Sequence, residues 1–145
     1  MNEYKHTQIG YSLINSYTFV FLVIGVVNIV TEFAPLALLA LIFILLTIST
    51  FASLTVTVDK RVIGLRFGVG IIRKEFKLAD IERYQAVENP WYYLSGIRYT
   101  PRGWLFAVSG DSAVELEMKN GKYYRIGTDE PEKLIQALDR AIAAA

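Results

Sequence analysis

The residues best suited to chemistry in this chain are Lys60, Arg61, Arg66, Arg73, Arg98 and Arg102, together with the aromatic run Trp91-Tyr92-Tyr93 that lies among them. A guanidinium meets a phosphate or carboxylate through paired N–H groups, and amphipathic rings favour the headgroup region of a bilayer. The chemistry they suggest is capture of anions or contact with a membrane surface. We take the six basic residues with Trp91 and Tyr92 as candidate ligand or membrane-surface contacts. Catalytic groups do not accompany them. The chain has no cysteine, and its one histidine, His6, lies in what reads as a frayed N-terminal stretch. Thiolate nucleophiles, cysteine- or histidine-based metal sites and Ser-His-Asp triads are therefore excluded. No catalytic residue, metal or cofactor is expected. The acidic pairs Asp80/Glu82 and Glu115/Glu117 have an i, i+2 spacing that suits an exposed strand face.

Charge is uneven along the chain. Asp59 to Arg102 carries nine Lys/Arg against five Asp/Glu, whereas Gly103 to Ala145 carries five against seven. Basic side chains held close to an anionic leaflet contribute about 1 kcal/mol each, which would orient a module on a bilayer. A solvated face with an ordinary positive-inside bias reads the same way. Nucleic acid is not an expected partner, because the net charge is only +1 and no recognition motif accompanies it. Arg98 could contact a ligand, or could pair structurally with Glu88 or Asp111. Of the rings Trp91, Tyr92, Tyr93, Tyr99 and Trp104, at least half are expected in the core, since a small β module needs large side chains.

The elements that must position these residues begin with an anchor. From Ile9 to Leu54 the only formal charge is Glu32, which separates two uncharged stretches, Ile9–Val30 and Phe33–Leu54, of 22 residues each. As helices each would be about 33 Å long, matching a hydrocarbon core of about 30 Å. A cleaved signal peptide is not expected, because the apolar run far exceeds an h-region and meets a second span after a two-residue turn. Pro35 suits the first turn of the second helix, where its missing N–H costs nothing. We expect residues 1–54 to form this N-terminal segment and transmembrane hairpin, and residues 55–145 a separate cytoplasmic domain.

Lys5 precedes the first span and Lys60, Arg61 and Arg66 follow the second, while the connecting turn has no basic residue. Both termini should face the cytoplasm, in an inner membrane. Polar residues within the spans, such as Ser16, Asn28, Thr47, Ser49 and Thr50, fit helix packing better than a transport path, since no ionisable group accompanies them. Gly25 and the series Ala34, Ala37, Ala40 could seat a close helix contact, within the hairpin or between protomers.

Beyond Leu54 the pattern is that of short strands. Leu54–Asp59, Arg61–Phe67, Ile71–Leu78, Ile81–Val87, Trp104–Ser109, Ala113–Met118 and Lys122–Gly127 make about seven, with an irregular stretch from Glu88 to Gly103. In the last hairpin a three-residue loop, Lys119-Asn120-Gly121 with Gly121 left-handed, sets Val114 opposite Ile126 and Leu116 opposite Tyr124. It also sets Glu115 opposite Arg125 as an exposed pair worth about 0.2 to 1 kcal/mol. A helix closes the chain, with Asp129 as N-cap, Pro131 in the first turn, and Leu134, Leu138, Ala141 and Ile142 as its apolar stripe.

Gly96-Ile97-Arg98 through Trp104, Ser109-Gly110, Ala113-Val114-Glu115-Leu116 and Ile126-Gly127-Thr128-Asp129-Glu130-Pro131, behind a membrane hairpin, resemble the bacterial membrane proteins with a pleckstrin-homology-like domain. The resemblance spans the chain and is most specific from Gly96 to Leu138. It implies a PH-like bent sheet or partial barrel of antiparallel strands closed by a C-terminal helix, at the cytoplasmic membrane face. It also implies a binding module or scaffold rather than catalysis. The Lys/Arg arrangement around the first hairpin loop of inositide-binding members is absent here, so inositide recognition is not implied. The expected partners are the lipid bilayer, including anionic headgroups, and a second copy or another membrane protein that this chain serves as an accessory subunit. A lipid-active enzyme or a transporter of a small apolar solute is the alternative of a different class. A deep pocket bringing Arg98 to two of the paired carboxylates would favour the enzyme. A structural membrane oligomer is the third reading.

Overall fold

The computed structural model describes residues 4–32, 34–93 and 95–145. Among them are nine strands and three α-helices in an α+β arrangement. Strand β1 (Tyr4–Ile9) leads into helix α1 (Tyr11–Val30), and α2 (Pro35–Phe51) leads into β2 (Ser53–Val58). There follow β3 (Val62–Phe67), β4 (Ile72–Lys77), β5 (Ile81–Glu88), β6 (Gly96–Thr100), β7 (Gly103–Ala107), β8 (Ser112–Met118), β9 (Tyr123–Gly127) and α3 (Pro131–Ala143).

Helix α1 has 20 residues and a mean hydropathy of 2.1, and it is long and apolar enough to cross a membrane. Helix α2 is apolar but shorter than expected, at 17 residues. Its chain leaves the helix at Ala52 because Ser53 already pairs with Ile9 in the sheet. The expected start at Phe33 lies outside the described residues. Pro35 is the first residue of α2, as its fixed φ and missing N–H favour. The hydroxyls of Ser16, Thr47, Ser49 and Thr50 donate to carbonyls four residues back in their own helices. They are thus satisfied locally rather than across the helix pair. Ala37, Ala40 and Ile44 lie along the more buried stripe of α2, with Ala34 just before its first residue, consistent with packing within the hairpin, whereas a side chain added at Gly25 would meet none of the described residues within 4 Å.

Two sheets follow the orders β1-β2-β3-β4 and β5-β8-β9-β7-β6. The alternation in β3 buries Ile63, Leu65 and Phe67, and these pack with Leu54, Val56, Phe106, Val114, Leu116 and Ile126 from both sheets. Each such side chain contributes about 1.5–3 kcal/mol on burial. Helix α3 adds Leu134, Ala137, Leu138 and Ala141 to this core and packs against β2, β5 and β8. Ile142, expected on that stripe, is exposed at 37%. The helix starts at Pro131 with Glu130 as the residue before it and no side-chain cap. Asp129 is drawn instead to the ring of His6.

Two strands escape the sequence pattern. β6 lies inside the stretch expected to be irregular, bounded by Gly96 and by a tight turn at Pro101-Arg102 that pairs Thr100 with Gly103. β1 crosses the expected division at residue 54, since Tyr4–Ile9 pairs along the whole of β2. His6 is accordingly a strand residue, not part of a frayed end. β7 and β9 pair in parallel, because the β8-β9 hairpin inserts between β5 and β7. That departs from the wholly antiparallel arrangement expected.

Candidate functional site

The ends of the strands nearest the helices define the site. Gly10 N–H donates to the Ala52 carbonyl at 2.7 Å, so the two helices spring from adjacent strands. The β3-β4 turn closes against the same junction. Gly68 N–H bonds the Ser53 carbonyl at 2.8 Å, and Val69 N–H bonds the Ser49 carbonyl of α2 at 3.2 Å. Only glycine serves at position 68, where φ is +46° and a Cβ would lie 2.0 Å from the Ser49 oxygen. The turn leaves Val69 and Ile71 exposed at 68% and 74%.

The second sheet presents its β7-β8 turn at the same junction, where Gln8 Nε2 donates to the Ser109 carbonyl at 3.0 Å. Glu88 pairs with Ser112 and Gly96 with Ala107, so the β5-β6 connection starts and ends beside that turn. This connection carries Trp91 and Tyr92, 80% and 60% exposed, stacked edge-to-face at 5.9 Å. Exposed apolar groups from two distant loops thus gather at the strand ends from which the apolar helices rise.

Cross-strand register assembles a basic hollow on the outer face of the first sheet. One row runs Thr7, Thr55, Arg66, Arg73, and the next runs Lys5, Thr57, Gly64, Glu75. Lys5, Arg66 and Arg73 line a hollow of about 240 Å³ with Thr55, Thr57 and Glu75. Gly64 forms its floor, and a Cβ there would lie 2.8 Å from Thr57 Oγ1. Arg73 Nε donates to the Gly70 carbonyl at 2.8 Å. Among the described residues, none of Lys5, Arg66 and Arg73 forms an ion pair.

The remaining candidates are dispersed. Lys60 and Arg61 sit just before the opposite end of β3, Arg61 about 16 Å from Arg66 at about 3.3 Å per residue. There they line a separate apolar groove with Lys77 and Ile142. Arg98 bonds neither Glu88 nor Asp111, and its Nε donates to the Ser95 carbonyl at 3.1 Å. Arg102 lies 5.7 Å over the Tyr123 ring and 3.9 Å from Glu115. The rings are not core residues as expected: Trp91, Tyr92, Tyr99 and Trp104 are exposed and Tyr93 is half-buried. Arg98 is not among the residues lining the small polar pocket that contains Glu115 and Glu117.

Glu115 itself is buried, not exposed. Its carboxylate accepts from Arg125 Nε at 2.8 Å, and Arg125 Nη1 donates to Asn89 Oδ1 at 2.9 Å. Asn89 opens the loop that carries Trp91, and it too is buried. The pair is therefore a structural clamp that fixes the aromatic loop.

Strand β1 is held by α3. Tyr4 O–H donates to Glu130 Oε1 at 2.9 Å, and His6 lies between Asp129 at Nε2 and Glu130 at Nδ1. The two carboxylates address opposite ring nitrogens, so they bracket the ring rather than converge on one point. Burial, then the Glu130 carboxylate, pushes the Tyr4 phenol well above its usual range. The bond to Lys133 leads the effects that hold Glu130 below the ordinary carboxylate value. Tyr4 and His6 face α3 and the alternation turns Lys5 outward to the hollow. Lys5 is the site residue that sequence reasoning passed over, because Lys5-His6-Thr7-Gln8 is polar throughout and shows no strand alternation. No family model, characterised protein or solved structure matches this chain.

Proposed function

We infer that this chain is a non-enzymatic, membrane-anchored binding or scaffolding module whose strand domain sits at the cytoplasmic face of the bilayer. The observation that carries this reading is the Gly10–Ala52 hydrogen bond joining the roots of α1 and α2, with Val69, Ile71, Trp91 and Tyr92 exposed at that same end. At 1.5 Å per residue α1 is about 30 Å long and α2 about 26 Å, the latter near the lower limit for a span. The basic residues beside the helix roots and the base-free turn at Glu32 support an orientation with both ends cytoplasmic. Two facing sheets with a C-terminal helix support the pleckstrin-homology-like reading, from which the parallel β7/β9 pair is a departure.

The test has two parts. After alkaline washing of native membranes the full chain should remain in the pellet, and its release would overturn the anchor. In a Trp104→Phe background, brominated acyl chains in reconstituted vesicles should quench Trp91 fluorescence, whereas quenching only by an aqueous agent would remove the loop from the interface.

A further inference from the structure

We propose that the hollow formed by Lys5, Arg66 and Arg73 binds a phosphate group, supplied by the headgroup of an anionic lipid in the leaflet that holds the helices. The source of the phosphate rests on the membrane-anchored reading above; the site itself rests on the sheet. Arg66 and Arg73 are direct cross-strand partners. Like charges so placed oppose strand pairing unless an anion lies between them. No carboxylate forms an ion pair with either among the described residues. Both side chains are gathered over Gly70, where a Cβ would lie 2.9 Å from Arg66 Cδ and 3.2 Å from Arg73 Nη2. The Arg73 bond to the Gly70 carbonyl uses Nε and leaves its terminal nitrogens to donate.

The remaining walls select the ligand. Lys5 adds a third cation and Thr55 and Thr57 add hydroxyls, while Gly64 leaves the floor open. Among the described residues no aromatic ring lines the hollow, so a nucleotide base has nothing there to stack upon. Glu75 lies in the row farther from the helix roots, which concentrates positive charge in the Arg66/Arg73 row beside them. Arg66 is three residues from Val69 and Arg73 two from Ile71, the exposed apolar turn that abuts α2. At about 3.3 Å per residue the two arginines stand about 7–10 Å along their strands from that turn, which sets them at headgroup depth when the turn enters the bilayer. Depth and charge together match a lipid phosphate.

The full chain, purified in detergent micelles, would be titrated with phosphatidylglycerol, phosphatidylcholine and inorganic phosphate, with bound lipid read by native mass spectrometry. Phosphatidylglycerol should be retained in preference to phosphatidylcholine, and Arg66→Ala/Arg73→Ala should lower its retention roughly tenfold or more. Lys60→Ala/Arg61→Ala, which removes equal charge from the opposite end, should leave it unchanged. Arg66→Lys/Arg73→Lys, which keeps charge but loses paired donation, should fall between. Equal losses in the two alanine pairs would reduce the effect to net charge and overturn the site. Retention of inorganic phosphate with no preference for phosphatidylglycerol over phosphatidylcholine would overturn the lipid as its source. Because binding is read in micelles, failure here differs from failure of the anchor, which shows only in membrane washing.

Discussion

Arg125 and Glu115 face each other across β9 and β8 with Nε and Oε2 2.8 Å apart, at 7% and 3% exposure. The register is the one the three-residue Lys119-Asn120-Gly121 loop demands, with Gly121 at φ +81°. Burial changes the energetics, because charges removed from water depend on each other. Arg125→Met should destabilise the strand domain by about 3–5 kcal/mol by leaving the buried Glu115 with only the longer contact to the exposed Arg102. Glu115→Leu/Arg125→Met should recover most of that loss, as an apolar pair fills the same space. Thermal unfolding of both variants in detergent checks the contrast.

Gly68 supports the junction between the first sheet and the apolar helix α2. Gly68→Ala combines a left-handed backbone with a clash against the Ser49 and Thr50 carbonyls, so a loss of at least about 1–3 kcal/mol is expected. Protease cutting at the β3-β4 turn should accelerate, while Gly25→Leu, at a position with no described residue within 4 Å, should leave cutting unchanged.

Alkaline stability should report on α3. Burial, and then the bond to Asp139, push the Tyr84 phenol from 10 up to about 12. A raised folded value favours the protonated form, so this contribution is complete below pH 10 and is lost as pH climbs toward 12. Tyr84→Phe should flatten the unfolding midpoint over that window. An unchanged pH profile would remove the Tyr84–Asp139 tie from α3 docking.

The acid side should report on β1. Glu130 is held below its ordinary value by Lys133 first, and also by Tyr4 and His6, against an opposing effect of burial. A lowered folded value favours the ionised form, so this contribution is present above the ordinary carboxylate range and is lost as pH falls through the lowered value. Glu130→Gln should flatten the acid limb of the midpoint against pH, measured by thermal unfolding in detergent.

The sequence by itself determined the elements whose signal is local. Uncharged length marked α1, Pro35 marked the start of α2, the alternation of Ile63, Leu65 and Phe67 marked the buried face of β3, and Gly121 fixed the last register. Only the tertiary structure decided what depends on partners distant in the chain. Whether Glu115 is exposed depends on the loop at Asn89 crossing over it, and whether Tyr4–Ile9 is a strand depends on β2, which lies beyond both helices. A polar edge strand carries little apolar periodicity, so it is its hydrogen-bonding neighbour that defines it. The basic residues divided for the same reason. Arg66 and Arg73 are brought together by strand pairing, Lys5 joins them from the far side of the hairpin, and Lys60 and Arg61 are carried to the other end of the sheet.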